Sequence, residues 1–318
     1  MRFLTIVSFA LLGTWLAPVH AQSYPAKLVR VIVPFPPGAG VDIITRIVVP
    51  RIADALGQSF VIDNRGGAGG ILGTELAAKV PSDGYTLYVG GSALVITPLI
   101  GKVSYSLRDF APVARLASVP FILVVHPSLP AKTLADLVAL ARAKPGSINY
   151  ASTGSGTTPH LSAELFRSAA KISITHVPYK GSAPALTDLL GGHVEMFFCN
   201  MASAAPHVAS GRLRALAVTS LQRASITPQV PTVAESGYAN FETVTWFGIL
   251  TPTGVAEPII TKLHAETLKA LRRADVQAEL AGQGAVAHFD VSPADTARYI
   301  AAESDKWGRL IKTLGNLN

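Results

Sequence analysis

The sequence predicts an α/β protein of two lobes, each a mostly parallel sheet covered by helices, with two crossing hinge strands between them. Three observations predict it. A β-branched run, a Gly/Ser/Thr loop and a helix-length stretch follow one another at least five times along the chain. The small polar loops all fall at the carboxyl ends of those runs. Two long strand-like runs with no glycine loop behind them bracket the middle third. Strands alternating with helices of this length mean βαβ units and a sheet buried on both faces. In such sheets ligands bind outside the carboxyl ends of the strands.

Taken in order, Leu28 to Pro34 (LVRVIVP) reads as the first strand, FPPGAG as its loop and Val41 to Leu56 as a helix. Asp63 to Gly70 (DNRGGAGG) reads as a flexible surface turn with a structural ion pair. Gly84 to Gly90 is a strand that leads into Gly91-Ser92 and a short helical turn. Ser118 to His126 (SVPFILVVH) is the first crossing strand. Ile148 to Ala151 then leads through STGSGTT into a helix over Pro159 to Ala170. Ile174 to Val177 leads through PYKGS into Ala183 to Leu190. Val194 to Phe198 leads through CNMAS into a helix ending near Ser210-Gly211. Phe241 to Leu250 (FETVTWFGIL) is the second crossing. Pro258 to Arg273, Asp275 to Gln283 and Ser292 to Leu314 are amphipathic and serve packing. One lobe is expected to comprise residues 22–124 and 247–318, and the other residues 125–246.

The N-terminus reads as a secretory signal peptide. Met1-Arg2 is a short positive start, Phe3 to Leu16 is apolar and uncharged, and Val19-His20-Ala21 offers small residues at a cleavage site. The apolar run is shorter than the roughly 20 residues a membrane helix needs. Cleavage after Ala21 and a periplasmic location are expected, and no Cys follows the site to carry a lipid. Cys199 is the single cysteine of the 318 residues, so no internal disulfide forms. The formal charge of +7 favours anionic partners. The charges are scattered, however, and aromatics are 7% of the chain, which is not the clustered basic and aromatic groove of a nucleic-acid binder. The histidines show no close spacing with Cys or carboxylates of the kind a metal site uses, so neither metal nor cofactor is expected.

Four loops carry candidate chemistry. In FPPGAGVD (Phe35 to Asp42) the prolines stiffen the strand exit. Gly38 and Gly40 let the backbone approach a ligand at the start of a helix. Free N–H groups and the positive end of the helix dipole suit a carboxylate there, and an ordinary tight strand–helix turn fits the same residues. It is not a dinucleotide fingerprint, since Ile43 stands at the third glycine position. STGSGTTPH (Ser152 to His160) offers backbone amides and the hydroxyls of Ser152, Thr153, Ser155, Thr157 and Thr158 as a neutral cradle before Pro159 starts a helix. His160 either faces an anion or is a packed helix residue. Ser155 lacks the G-x-S-x-G elbow of a nucleophile. GGSALVITP presents Ser92 at its mouth and FFCNMASA presents Asn200, with Cys199 as a buried neutral thiol.

Together these loops resemble the substrate-binding receptors of tripartite tricarboxylate transporters, the Bug family. The blocks YPAKLVRVIVPFPPGAGVD, VIDNRGGAGG, PSDGYTL, NYASTGSGTTPHLSAELF, ITHVPYKGSAPALTDLLGG, LRALAVTS and PQVPTVAESG run in family order over essentially the whole mature chain. The resemblance implies a two-lobed periplasmic-binding-protein fold, type II-like, that closes on a small carboxylate. It implies a monomer without cofactor that hands its ligand to integral membrane transporter subunits. The loops implied to hold the ligand contain Phe35, Gly38, Ala39, Gly40 and Asp42; Gly91, Ser92 and Ala93; Ser152, Thr153, Gly154, Ser155, Gly156, Thr157 and Thr158; and Asn200. His160 and Tyr179 flank them. Phe35 would wall the ligand, and Asp42 would order the first helix turn or a bridging water.

Two departures from the family pattern stand out. Cys199-Asn200 replaces the usual Asp-Asn, and Gly38-Ala39-Gly40 replaces an all-glycine or Gly-Gly-Ser run. Losing the acid favours a plain or aromatic carboxylate over an amino acid. Two other readings stand beside this one. A receptor feeding a sensor kinase would share every feature above, and an exported hydrolase would need a nucleophile, base and orienter that these acid-poor loops do not display.

Overall fold

In the computed structural model, which describes residues 24–315, strand and helix alternate through most of the chain. The signal peptide read over residues 1–21, with cleavage after Ala21, lies outside the described residues. β1 (Val29–Val33) leads into α1 (Gly40–Leu56), β2 (Phe60–Asn64), α2 (Ile71–Ala78), β3 (Thr86–Gly91) and α3 (Ser92–Ile100). Next come β4 (Phe110–Val125), α4 (Leu134–Ala143), β5 (Asn149–Ser152), α5 (Thr158–Ala170) and β6 (Thr175–Pro178). α6 (Ser182–Leu190), β7 (Met196–Asn200), α7 (Met201–Ala209) and β8 (Arg214–Val218) follow. The chain ends with β9 (Val244–Pro252), α8 (Glu257–Arg272), α9 (Ala274–Gly282), β10 (Val286–Ala287) and α10 (Pro293–Leu314).

The strands lie in the order β2-β1-β3-β9-β4-β7-β5-β6, with β8 and β10 also paired to β4. β1 runs parallel to β2 and β3, and β5 runs parallel to β6 and β7. β4 serves both halves. From Phe110 to Pro120 it pairs antiparallel with β9, and from Phe121 to Val125 it pairs with β7. This is the two-lobed α/β fold with crossing strands. The first crossing begins at Phe110, well before the expected Ser118, and the second strand runs from Val244 to Pro252.

Side-chain alternation, interrupted in β4 by register shifts between Pro112 and Ala114 and between Arg115 and Ala117, gives each lobe's sheet two covered faces. In the first lobe Val29, Val31 and Val33 of β1 join Leu87 and Val89 of β3 and Phe247 and Ile249 of β9 on the face covered by α1, α8 and α9. Ile32, Tyr88, Trp246 and Leu250 point the other way, onto α3 and α10. In the second, Leu123, Val125, Tyr150, Met196 and Phe198 meet α4 and α5, while Ile122, Val124, Ala151, Phe197 and Cys199 meet α6 and α7. Burial on both faces is why the strands read as apolar runs rather than as alternating ones.

α10 shows how the terminal helices form. Ser292 and Asp295 make a reciprocal capping box at its start. Its buried Ile300, Trp307, Leu310 and Ile311 recur at helical spacing and close one face of the first lobe. The structure corrects one element outright. Asp63 and Asn64 are not in a flexible turn: they close β2, with Asp63 opposite Ile32 and Asn64 opposite Val33. The expected ion pair is present, since Arg30 and Arg65 both meet Asp63.

Candidate ligand-binding site

The pairing registers bring the loops together. Gly91, the last residue of β3, lies opposite Phe247, which lies opposite Ala117 of β4. Asn200, the last residue of β7, lies opposite Phe121 of the same strand. β3 runs with β4 and β7 runs against it, so the carboxyl ends of the two lobes' strands point at each other. Ala117 and Phe121 are four residues apart, or about 13 Å along an extended strand. The starts of α1, α3, α5, α6 and α7 therefore face one another across the middle of β4.

The loop after β1 is set by Asp42. Its carboxylate is buried and accepts the Gly38 N–H at 2.8 Å, Arg46 Nε at 2.9 Å and the Asn64 amide at 3.0 Å. Burial opposes the charge, but these hydrogen bonds overcome it and hold the carboxyl below the usual range. Asn64 also donates to Phe35 O at 2.9 Å. Gly38 has φ +83° with open space around it, so the left-handed backbone and not crowding calls for glycine there. The Phe35 ring packs against Gly70, and Ala39, at the head of α1, makes no side-chain cap.

Ser92 departs from expectation. Its side chain is buried, accepting the Trp246 N–H at 3.2 Å and directing its own hydrogen to Val244 O at 3.4 Å, so it ties α3 to β9 instead of lining the mouth. Gly91 leaves no room for a side chain, because a Cβ there would lie 2.5 Å from the Trp246 carbonyl oxygen. Ala93 is half-buried beside it.

The loop after β5 orders itself. Ser152 Oγ accepts the Gly154 N–H at 3.1 Å and lies 2.6 Å from His176 Nε2. Thr153 Oγ1 donates to Thr157 Oγ1, which donates to Gly154 O. Ser155 is exposed, and Thr157 and Thr158 are half-buried at the head of α5. Gly156 has φ +74° and faces Ile100 at the end of α3, a contact between the lobes. His160 is a packed residue: it is 5% exposed, and its Nδ1 accepts the Gly156 N–H at 3.0 Å. Burial first, then the neighbouring His176, push it down to about 4, so it is neutral and offers no cation to an anion.

Two further loops complete the ring. Tyr179 gives its N–H to Ser152 O and its hydroxyl to Asp188, so the phenol is committed, and burial with that bond pushes it up to about 12. Asn200 Oδ1 accepts the Ala202 N–H and caps α7. Cys199 packs in the apolar cluster under α6 and α7, and burial pushes its thiol up to about 12.

Asn64 and His176 were not singled out in the sequence. Asn64 lay inside the quoted VIDNRGGAGG block and His176 inside ITHVPYKG, so the block pattern was the available signal. The resulting site is an array of helix starts. α1, α3, α5 and α6 carry no side-chain cap; α4 and α10 carry full capping boxes and α2, α8 and α9 are also uncapped, so it is the convergence of these four starts that marks the site. Uncapped N-termini present free N–H groups and the positive dipole end, the natural partners of an anion.

The sequence model of the tripartite tricarboxylate transporter family receptor matches residues 44–316. The chain belongs to that receptor family. It is 39% identical over 303 residues to protein BugT of Bordetella pertussis, covering 94% of this chain and 93% of that protein. Among solved structures the receptor is similar to the R. palustris protein Rpa4515 with adipate, at TM-score 0.79 and 37% identity, covering 91% and 98% of the two chains. It is similar also to MatC from Rhodopseudomonas palustris with bound malate, at TM-score 0.75 and 30% identity, covering 91% and 100%. The family is one of receptors and not of enzymes, which removes the hydrolase alternative.

Proposed function

We propose that the receptor binds a small carboxylate in the periplasm, closes its lobes on it and delivers it to integral membrane transporter subunits. The observation that carries this reading is the meeting of uncapped helix starts from both lobes across the middle of β4. The relatives solved with adipate and malate support the same ligand class. Asp42 is the acid in these loops and is committed to Gly38, Arg46 and Asn64, so among the described residues these loops offer no free carboxylate to a ligand ammonium. A plain or aromatic acid suits the site better than an amino acid.

The lobes proposed to close are residues 22–120 with 244–318 and residues 121–243, which moves the expected boundaries at 124 and 247 back to the hinge near Pro120 and Phe121, where β4 changes partners. The ligand is held by Gly38, Ala39 and Gly40 of the first loop, the backbone at Gly91 to Ala93, the hydroxyls of the Thr153 to Thr158 cradle and the turn at Asn200. Each charge-assisted hydrogen bond contributes about 1.5–3 kcal/mol and each helix start about 0.3–1, so four or five reach the ~8 kcal/mol of a micromolar site before closure costs.

A thermal-shift screen of refolded mature protein against mono-, di- and tricarboxylic, aromatic and amino acids tests this. A ligand at 100 times its dissociation constant adds about 2.7 kcal/mol and raises the midpoint by several degrees. Hits confined to plain acids are expected. An amino acid as the strongest hit would sink the ligand class.

A further inference from the structure

Under the Ser152–Thr157 loop three rings form a stack. His160 of α5 lies over His176 of β6 with centroids 3.9 Å apart, and His176 lies 4.9 Å from Tyr150 of β5. The two histidines do different work. His160 Nδ1 accepts the Gly156 N–H, and a ring nitrogen accepts only while it is unprotonated. His176 Nε2 meets a hydroxyl, Ser152 Oγ, which can donate or accept. When the His176 ring donates, Ser152 turns its own hydrogen to Gly154 O at 3.2 Å. A first proton on the stack is thus tolerated at His176, and a proton on His160 is not.

The charged groups around the stack do not rescue a cationic His160. Glu164 on the same helix favours a proton on His160, but it is bound by Arg167 Nε at 2.8 Å and by the Tyr150 hydroxyl at 2.5 Å, and burial with His176 outweighs it. Arg167 itself opposes a proton on His160. Gly156 matters because it is the left-handed residue through which the loop enters α5, and it rests on Ile100 of the other lobe.

We propose that His160 is a positioning residue for the ligand: its neutral ring holds the Gly156 amide, sets the Ser152–Thr158 cradle, and on protonation releases cradle and ligand together. The affinity consequence rests on the carboxylate reading above, and the loop consequence rests on geometry alone. Burial and His176 hold His160 down to about 4, so the cradle is set at neutral pH and loosens as the pH falls towards that value.

The test is Gly156 amide exchange by NMR on the ligand-free mature protein between pH 7.5 and 4.5, corrected for intrinsic exchange, with adipate calorimetry beside it. Wild-type protection is expected to fall at least tenfold over that range. His160→Asn, whose Oδ1 replaces Nδ1 as acceptor and does not titrate, should keep protection at both ends. His160→Leu should lack it at both. Wild-type protection in His160→Leu, or an undiminished pH loss in His160→Asn, overturns the proposal. In the adipate arm, His160→Leu should weaken binding at least tenfold at pH 7.5, and His160→Asn should show a smaller affinity loss at pH 4.5 than wild type. Wild type that ignores adipate at pH 7.5 counts against an aliphatic diacid as ligand, while the exchange result decides the role of His160 by itself.

Discussion

Asn64 reaches Asp42 Oδ1 with its side-chain amide at 3.0 Å, tying edge strand β2 to the first turn of α1. The same amide holds Phe35 O, so three elements of the first lobe meet at two side chains. Neither residue needs to touch ligand for the Phe35–Gly40 loop to depend on both.

Removing Asp42 is expected to cost about 2–3 kcal/mol, because it leaves the Gly38 N–H and one of the two Asn64 amide hydrogens without an acceptor. Its ion pair contributes little of this, since the Arg46 side chain is 51% exposed. Asn64→Ala should cost about 1–2 kcal/mol, and the double variant less than the sum. The folded carboxyl lies below its ordinary value of 3.8, so its contribution is complete above that pH and is lost as the pH falls through the folded value. Urea unfolding of the two single variants and the double variant checks this, and strict additivity would break the proposed link.

His288 predicts the acid side of the stability curve. Its Nε2 lies 2.6 Å from Ser118 Oγ, and burial followed by nearby Arg115 pushes it down to about 4. The folded state then binds fewer protons than the unfolded chain, whose histidines titrate near 6.5. Stability is complete above pH 6.5 and falls as the pH drops from 6.5 towards 4. The slope per histidine is at most about 1.4 kcal/mol per pH unit. His160 acts in the same direction, so the reading is the difference between wild type and His288→Gln. The variant should show the shallower fall, and parallel curves would deny His288 the role.

How much of this was legible in sequence depended on how local the cause was. The loops at the strand ends, FPPGAG and STGSGTT, carry their own glycines, prolines and hydroxyls, and they stand where the alternating pattern put them. β2 was missed because FVIDN is short, only half-buried and ends in polar residues, and its strand state comes from pairing with β1. The outward reading of Ser92 failed for a similar reason: what captures its hydroxyl is β9, more than 150 residues away. For His160 both readings were open in sequence, and the ring of His176 on the neighbouring strand decides for the packed one.

Two glycines separate crowding from backbone strain. Alanine at Gly91 would press on the Trp246 carbonyl, a strand backbone atom that cannot swing aside, and should cost about 1–3 kcal/mol or more. Alanine at Gly38 meets nothing within 4 Å and should cost only the left-handed strain, about 1 kcal/mol. In binding the order should reverse. Gly38→Val should abolish carboxylate binding by a folded protein, whereas the residual folded fraction of Gly91→Ala still binds. Equal destabilisation by the two alanines would remove the crowding argument.

Cys199 tests which face of β7 looks at the ligand. Its side chain is fully buried with Ile122, Val124 and Phe197, on the face opposite Phe198. The acid that the family resemblance implies at this position would here enter an apolar cluster, so Cys199→Asp should cost about 3 kcal/mol or more, against about 1 for Cys199→Ala. The thiolate is the reactive form, and burial keeps the thiol near 12, so a thiol reagent should label the native protein negligibly and the urea-unfolded protein fully. Rapid native labelling that a ligand suppresses would put the sulfur in the cleft, and the choice between plain acids and amino acids would then turn on Cys199 after all. Labelling only on unfolding leaves that choice to the loops, where Asp42 is already committed.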